Sequence, residues 1–464
     1  MDPVCIIGAG PAGLAAAVAL QARGIPFRIL DAGRAPGGIW DMDRPDTPMY
    51  TSAHFISSKT LSGFRDFPMP ADYPDYPRHD QILAYVRDYA RRHGLEDHAT
   101  FGMRVTRARP VEGGGAPGDG TLSSWEVEWV PVDPDAPTPD AAADQGPAPA
   151  VSAGRFSALV VAGGVTWHPN VPEIPGAFTG EIRHSVTYRT PDEFRGRRVL
   201  IVGGGNSAVD IACDAARAAD AAFISLRRGY HFVPKYVFGI PADVFSHTGP
   251  RLPAWLEQRV FGFLVSRILV GDLTRYGLPR PDHPILSSHP IMNTQLLHHL
   301  GHGDIRAKPD VARFQGNEVV FADDSRETVD LVLLATGYRR RFPFLDLRLP
   351  GERRPFREAE VSPEDLYLTL MHRRFGTLFL MGIFETDGAA YDLFGEQADL
   401  VARTLEAVAA GGTAAERLAR LRLEGQPDLR GGRRYLDTPR HTWYVKDAMY
   451  RKAIRRLRHT MGWD

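Results

Sequence analysis

The sequence predicts an α/β fold with two Rossmann-like dinucleotide-binding domains, the second inserted in the first. Three observations predict it. A short apolar strand, Val4 to Ile7, runs at once into glycines, an alanine-rich helical stretch from Gly13 to Ala22 and a second strand, Phe27 to Leu30. The same order returns much later: strand Val199 to Val202, glycine turn Gly203 to Gly205, helix Ser207 to Ala219, strand Ala222 to Leu226. A further apolar strand, Leu331 to Ala335, ends in Thr336-Gly337-Tyr338 and is read as the chain's return to the first domain. Each unit is a β-turn-α-β pattern in which an apolar run gives way to helical periodicity at a glycine turn.

The expected boundaries are 1–168 for the first part of the first domain, 169–328 for the second domain, and 329–464 for the rest of the first domain with C-terminal helices. Within the first part, about 112–154 is rich in Gly, Pro, Ala and Asp. It reads as an exposed insertion too poor in apolar residues to bury a core, with Leu122 to Val130 able to form strands.

Composition narrows the function. A chain of 464 residues builds two or three units with sizeable cores. The formal net charge of −1 offers no basic bias toward nucleic acid. Two cysteines, Cys5 and Cys213, stand far apart, which excludes a disulfide framework or a Cys-x-x-Cys redox pair and fits a reducing compartment. No signal-peptide pattern and no run of about 18 apolar residues is present, so the expectation is a soluble, cytoplasmic protein.

Gly8-Ala9-Gly10-Pro11-Ala12-Gly13 is a G-x-G-x-x-G turn. Gly8 permits the tight turn, Gly10 lets backbone approach a pyrophosphate, and Gly13 lets helix and strand pack closely. The helix N-terminus presents free N–H groups to the phosphates. Asp31 closes the second strand, where an acid accepts hydrogen bonds from ribose hydroxyls. In the second unit, Gly203-Gly204-Gly205-Asn206-Ser207-Ala208 repeats the turn with Ala208 in place of the third glycine. Its second strand ends in Leu226-Arg227-Arg228 rather than an acid. Two guanidinium forks there pair with a 2′-phosphate, so this site is expected to prefer NADPH to NADH.

Gly37-Gly38-Ile39-Trp40 follows the first unit, and the run from Gly8 to Trp40 resembles the FAD site of class B flavin monooxygenases. By that resemblance Gly38, Ile39 and Trp40 lie near FAD. Phe178 to Tyr188 fits F-x-G-x-x-x-H-x-x-x-[YF] at every fixed position, with His184 and Tyr188 at its end. This resembles the identifying motif of the N- and S-oxygenating flavin-containing monooxygenases; Baeyer–Villiger relatives carry Trp at the last position. In the family the motif lies between the nucleotide domains and helps hold NADP⁺. Asp72 to Pro77, Ala335-Thr336-Gly337-Tyr338, His302 to Ile305 and Glu396-Gln397-Ala398 are similar to further family segments. Thr336, Gly337 and Gln397 are therefore expected beside a cofactor.

The resemblance implies an FAD-containing, NADPH-dependent monooxygenase that forms a C4a-hydroperoxyflavin and oxygenates a small molecule at N or S. It also leaves a homodimer open. The partners expected are that small-molecule substrate and O2. One departure stands out. The family's Y-x-S-x-x-x-N-x-x-K stretch reads Tyr50-Thr51-Ser52-Ala53-His54-Phe55-Ile56-Ser57-Ser58-Lys59, with Ile56 at the Asn position. An amide can hydrogen-bond an oxygenated flavin or NADP⁺; an isoleucine cannot. Ser57 or His54 supplies the missing polar group, or the pocket is drier, or reducing power ends as H2O2. Baeyer–Villiger oxygenation of ketones and an H2O2-producing NADPH oxidase are thus the alternatives.

No metal is expected, because the histidines show no ligand spacing. The Tyr230 to Leu300 segment carries Phe232, Tyr236, Phe238, Trp255, Phe261 and Phe263. They line an apolar access tunnel or form the core of a helical subdomain. The basic, amphipathic tail from Tyr444 to Arg458 reads as a solvated terminal helix, with docking on an anionic membrane as the less favoured alternative.

Overall fold

The computed structural model describes residues 2–111, 124–133, 150–248, 254–348 and 358–463. The first domain is a seven-stranded sheet in the order Leu366–Tyr367, Met371–His372, Leu378–Leu380, Ala158–Val161, Val4–Ile7, Phe27–Leu30, Ala99–Thr100. Its centre is parallel, with Val4 in register with Phe27 on one side and Ala158 on the other. All four residues of Val4–Ile7 are buried. A central parallel strand is covered on both faces, which is why it reads as an unbroken apolar run. The helix Pro11–Gln21 starts with Pro at its first position, where the missing N–H costs nothing, and packs along the long helix Ala390–Ala410.

The second domain holds a five-stranded parallel sheet in the order Ile305–Lys308, Ala221–Ser225, Arg198–Val202, Leu331–Leu334, Glu181–His184. The Asn206–Ala218 helix lies on it. A four-stranded sheet, Arg326–Thr328, Glu318–Phe321, Val311–Gly316 and Gly176–Phe178, completes this half.

The expected boundary near residue 328 is corrected by this topology. Leu331–Leu334 is an interior strand of the second sheet, paired with Arg198–Val202 and Glu181–His184. The return to the first domain comes just after it, through Thr336 to Arg340. Outbound and returning chains are stitched together there. Asn170 N–H donates to Gly337 O (2.9 Å), Thr336 Oγ1 to Asn170 O (2.5 Å) and Arg339 N–H to His168 O (2.8 Å).

Within the insertion, Ser124–Pro131 is a strand that pairs with Met103–Val111 and Ser152–Phe156. Trp125 and Val127 are fully buried, and the indole N–H of Trp125 reaches Thr377 Oγ1 at 3.0 Å. The remainder of the insertion, 112–123 and 134–149, lies outside the described residues. The aromatic segment divides. Phe232 is core and Phe261 packs on a small cluster with Val233, Val265 and Ile285, whereas Tyr236, Phe238 and Phe263 are exposed; the Trp255 side chain lies outside the described residues. The tail forms the helix Asp447–Met461, which buries Tyr450, Ile454 and Leu457 and leaves Lys452, Arg455 and Arg456 exposed. Among the described residues no helix is long and apolar enough to cross a membrane, and no group of three or more His, Cys, Asp or Glu side chains is placed to hold a metal ion.

Candidate active site

The first glycine turn is a cradle with backbone walls. Gly8 has φ +109°, and a Cβ there would stand 2.6 Å from Ala162 O. A Cβ on Gly13 would stand 1.9 Å from Gly8 O. On Gly10 it would meet only Gly38 Cα, at an ordinary 3.6 Å, so Gly10 faces open room for a ligand. Pro11 and Ala12 begin the helix whose free N–H groups point into that room. Gly38, with φ +61°, lies against Gly10 and opens the short turn Gly38–Trp40. Thr47 Oγ1 holds that turn by donating to Ile39 O (2.5 Å), and Trp40 meets Phe55 edge-on at 5.3 Å between ring centres.

Asp31 is buried and accepts from Ala9 N–H (2.7 Å) and Gly33 N–H (2.6 Å), with Arg44 at 3.3 Å. Its carboxylate therefore braces the glycine turn itself while keeping one acceptor site to spare. Arg44 also lies over Trp167, 4.5 Å from the ring centre. Neither residue stood out in the sequence, because a lone Arg in a polar loop reads as solvated.

The second turn is built alike. Gly203 has φ +135°, and its Cβ would stand 2.3 Å from Ala335 O. The Tyr230 ring lies so close on Gly204 that a Cβ would be 2.2 Å from it, while nothing is within 4 Å of a Cβ on Gly205. Ala208 is fully buried where helix meets strand, and Ser207 is exposed at the helix start. Asn206 uses its side-chain oxygen to accept from Met292 N–H (2.8 Å). Arg227 and Arg228 diverge. Arg227 is exposed and has no ion pair among the described residues; Arg228 is half-buried over Tyr230 at 5.6 Å, with its Nε unpartnered.

Between the cradles runs the Tyr50 to Lys59 segment. Two carboxylates one helical turn apart on Asn206–Ala218 pin it. Asp210 accepts from Tyr50 OH (3.2 Å) and Asn293 Nδ2 (2.5 Å); Asp214 accepts from Ser52 Oγ and from Tyr188 OH (2.9 Å). Lys59 Nζ donates to Ala71 O (2.7 Å) and Tyr73 O, and Ser58 N–H donates to Asp243 (2.6 Å). Burial pushes the Asp210 carboxyl upward, countered by the Asn293 and Tyr50 donors and by Lys235. Of the three positions singled out around the missing amide, Ile56 and Ser57 are half-buried, and the Ser57 hydroxyl has no partner among the described residues. His54 is exposed with Nδ1 at 2.9 Å from Ser52 O.

Four residues expected beside a cofactor are engaged by the protein itself. Tyr188 is fully buried, stacked on Phe194 at 4.9 Å and hydrogen-bonded to Asp214, so it belongs to the core of the second domain. Gln397 is fully buried with both amide ends engaged, accepting from Gly382 N–H (3.0 Å) and donating to Tyr450 OH (2.8 Å). It supports the first cradle at one remove, because Gly382 packs on Ala12. Thr336 and Gly337 belong to the stitched crossing.

His184 ties the linker to that crossing. Its Nδ1 accepts from Val186 N–H (3.2 Å), so Nε2 carries the proton and donates to Gly337 O (3.1 Å). Burial pushes its pKa down to about 4. His289, His372 and His441 are likewise pushed down to about 4, chiefly by burial. These groups bind protons in the unfolded chain, with an ordinary pKa of about 6.5, before they do so in the folded one. Their contribution is complete above that value and is lost as pH falls toward 4, at about 1.4 kcal/mol per pH unit for each group. Thermal unfolding at pH 7.5, 6 and 5 is expected to show a marked fall in Tm below pH 6.5; an unchanged Tm from 7.5 to 5 contradicts it.

Two glycine cradles, one lined by Trp40 and one by arginines, facing a segment held between them, define a two-dinucleotide oxidoreductase. The chain matches the family described as flavin-binding monooxygenase-like over residues 2–133 and 140–417, and it belongs to that family of flavin-dependent monooxygenases. It is 31% identical over 354 residues to the indole-3-pyruvate monooxygenase YUCCA8 of Oryza sativa subsp. indica, covering 74% of this chain and 77% of the relative. It is 28% identical over 425 residues to the human flavin-containing monooxygenase 1, covering 87% and 74%. Among solved structures, the OTEMO complex with FAD and NADP superposes with a TM-score of 0.68 at 18% identity, covering 100% of this chain and 98% of that one.

Proposed function

We propose that this flavin monooxygenase takes FAD in the first cradle and NADPH in the second, and oxygenates a small organic molecule at nitrogen or sulfur. The observation that carries the reading is the pair of cradles, with ligand room open at Gly10 in the first and at Gly205 in the second, on either side of one pinned segment. Gly8 to Gly13, Asp31 and Gly38 to Trp40 would hold FAD; Gly203 to Ala208, Arg227 and Arg228 would hold NADPH. The solved relative that holds both FAD and NADP supports the pairing. Bound flavin supplies the two-electron chemistry with O2.

The chain's own part is positional. The helix N-termini bind phosphates, the Asp210 and Asp214 hydrogen bonds fix the wall between the sites, and Ile56, Phe55 and Trp40 exclude water from it. No nucleophile or paired general acid and base is required of the protein. The test is turnover under ¹⁸O2 with a panel of tertiary amines, thioethers and ketones. Incorporation of ¹⁸O into an amine oxide or sulfoxide, in step with NADPH oxidation, is the expected result. Label appearing only in an ester from a ketone gives the Baeyer–Villiger reaction instead. The curated relatives named for indole-3-pyruvate add a 2-oxo acid to the panel.

Ile56 motivates a second reading, in which NADPH oxidation ends as H2O2. The Ile56→Asn variant returns an amide to the wall beside the free Ser57 hydroxyl. It is expected to lower the fraction of NADPH lost as H2O2 by about threefold to tenfold, the effect of one hydrogen bond. Peroxide assays beside product assays check this; an unchanged or larger peroxide fraction counts against a role for that position.

A further inference from the structure

We propose that Lys235 is a substrate-recognition residue and that the substrate carries an anionic group, a carboxylate, which its ammonium binds. This rests on the oxygenation reading and adds the class of molecule oxygenated. Lys235 lies in the loop that follows the second domain's arginine pair, and its backbone is fixed from two sides: its carbonyl accepts from Tyr76 OH (2.5 Å) and from Ala242 N–H (2.8 Å). The same loop is tied to the wall segment by Ser58 N–H on Asp243 (2.6 Å) and by Tyr236 OH on Asp75 (3.1 Å). The lysine therefore stands at the junction of the Tyr50 to Lys59 wall, the Asp75-Tyr76 loop and the second domain.

Its ammonium is undersupplied there. The side chain is half-buried, with Nζ 4.9 Å from the Tyr76 ring centre. Among the described residues Nζ makes no hydrogen bond and no ion pair. The one carboxylate it feels is Asp210, whose two oxygens already accept from Tyr50 and Asn293. Burial pushes the Lys235 pKa down and Asp210 only partly offsets this. An aromatic face returns part of the lost hydration. The three N–H donors of Lys235 are left to solvent and have no protein acceptor among the described residues, and a bound anion would supply one to an ammonium already short of hydration. The same charge disfavours a protonated amine beside it, so among the candidate substrates thioethers and ketones bearing a carboxylate fit best.

A phosphate of the dinucleotide would also satisfy an ammonium, and the test separates the two sources. The FAD-loaded protein is titrated calorimetrically with 4-(methylthio)benzoate, with its methyl ester and with NADP⁺, for the native chain, Lys235→Met and Lys235→Arg; flavin content and Tm confirm that each variant is folded. The acid is expected to bind the native protein about tenfold or more tighter than the ester, the yield of one charge-assisted hydrogen bond. Lys235→Met is expected to abolish that preference, Lys235→Arg to keep part of it, and NADP⁺ affinity to stay within about twofold. Absence of the acid preference in the native protein, its persistence in Lys235→Met, or a loss confined to NADP⁺ overturns the proposal. Binding needs no turnover, so a failure to oxygenate would sink the functional reading without touching this result.

Discussion

Replacing Gly13 by alanine is expected to yield a protein that no longer retains flavin. The added methyl would stand 1.9 Å from Gly8 O and 3.0 Å from Gly8 C. Both are backbone atoms of the turn, so no side chain can rotate away. The helix Pro11–Gln21 must lift from the sheet, carrying its N-terminal N–H groups off the pyrophosphate position and disturbing its contact with Ala390–Ala410. Overpacking of this kind costs about 1–3 kcal/mol even where side chains can adjust. We expect the flavin-to-protein ratio after purification to fall by about tenfold or more, with a lower Tm. Gly10→Ala is the matched control: its methyl makes an ordinary 3.6 Å contact with Gly38 Cα, so the apoprotein should keep its Tm and lose only flavin. Retention of flavin by Gly13→Ala would contradict the assignment of this turn.

Removing both arginines after the second turn is expected to erase the preference for NADPH. Arg227 is exposed with no ion pair among the described residues, and Arg228 keeps an unpartnered Nε beside Tyr230. Tyr230 in turn lies on Gly204, which puts Arg228 next to the turn itself. Each charge-assisted bond to a 2′-phosphate is worth about 1.5–3 kcal/mol. The Arg227→Ser, Arg228→Ser double variant should therefore raise the KM for NADPH by about a hundredfold or more and leave that for NADH nearly unchanged. Steady-state kinetics with both coenzymes decide it; equal changes for the two would assign the arginines to something other than the 2′-phosphate.

Both cradles were legible in the sequence because their spacing is dictated locally: a turn between a buried strand and a helix leaves few choices for its glycines. Sheet membership was not. Leu331–Leu334 is apolar throughout, and nothing in a buried parallel strand names its neighbour, so its pairing with Arg198–Val202 appears only in three dimensions. Tyr188 and Gln397 were read by their place in a motif, but burial and hydrogen bonds give them bracing roles. Asp210 and Asp214 were missed for the opposite reason. Two acids on an amphipathic helix read as a solvated face until Tyr50, Ser52, Tyr188 and Asn293 are seen to converge on them. The free ammonium of Lys235 carries no sequence pattern at all.

The paired crossing between the domains sets how they can move. Asn170, Thr336, Gly337 and Arg339 tie the two chains side by side, and His184 fastens the linker to the same place. Two cords joined along their length make a strip, and a strip bends readily across its thin direction and resists bending in its own plane. With Tyr50, Ser52 and Ser58 also held by Asp210, Asp214 and Asp243 of the second domain, the freedom of the halves to shift is narrow. Any shift of the second cradle relative to the first therefore has to pivot about this crossing.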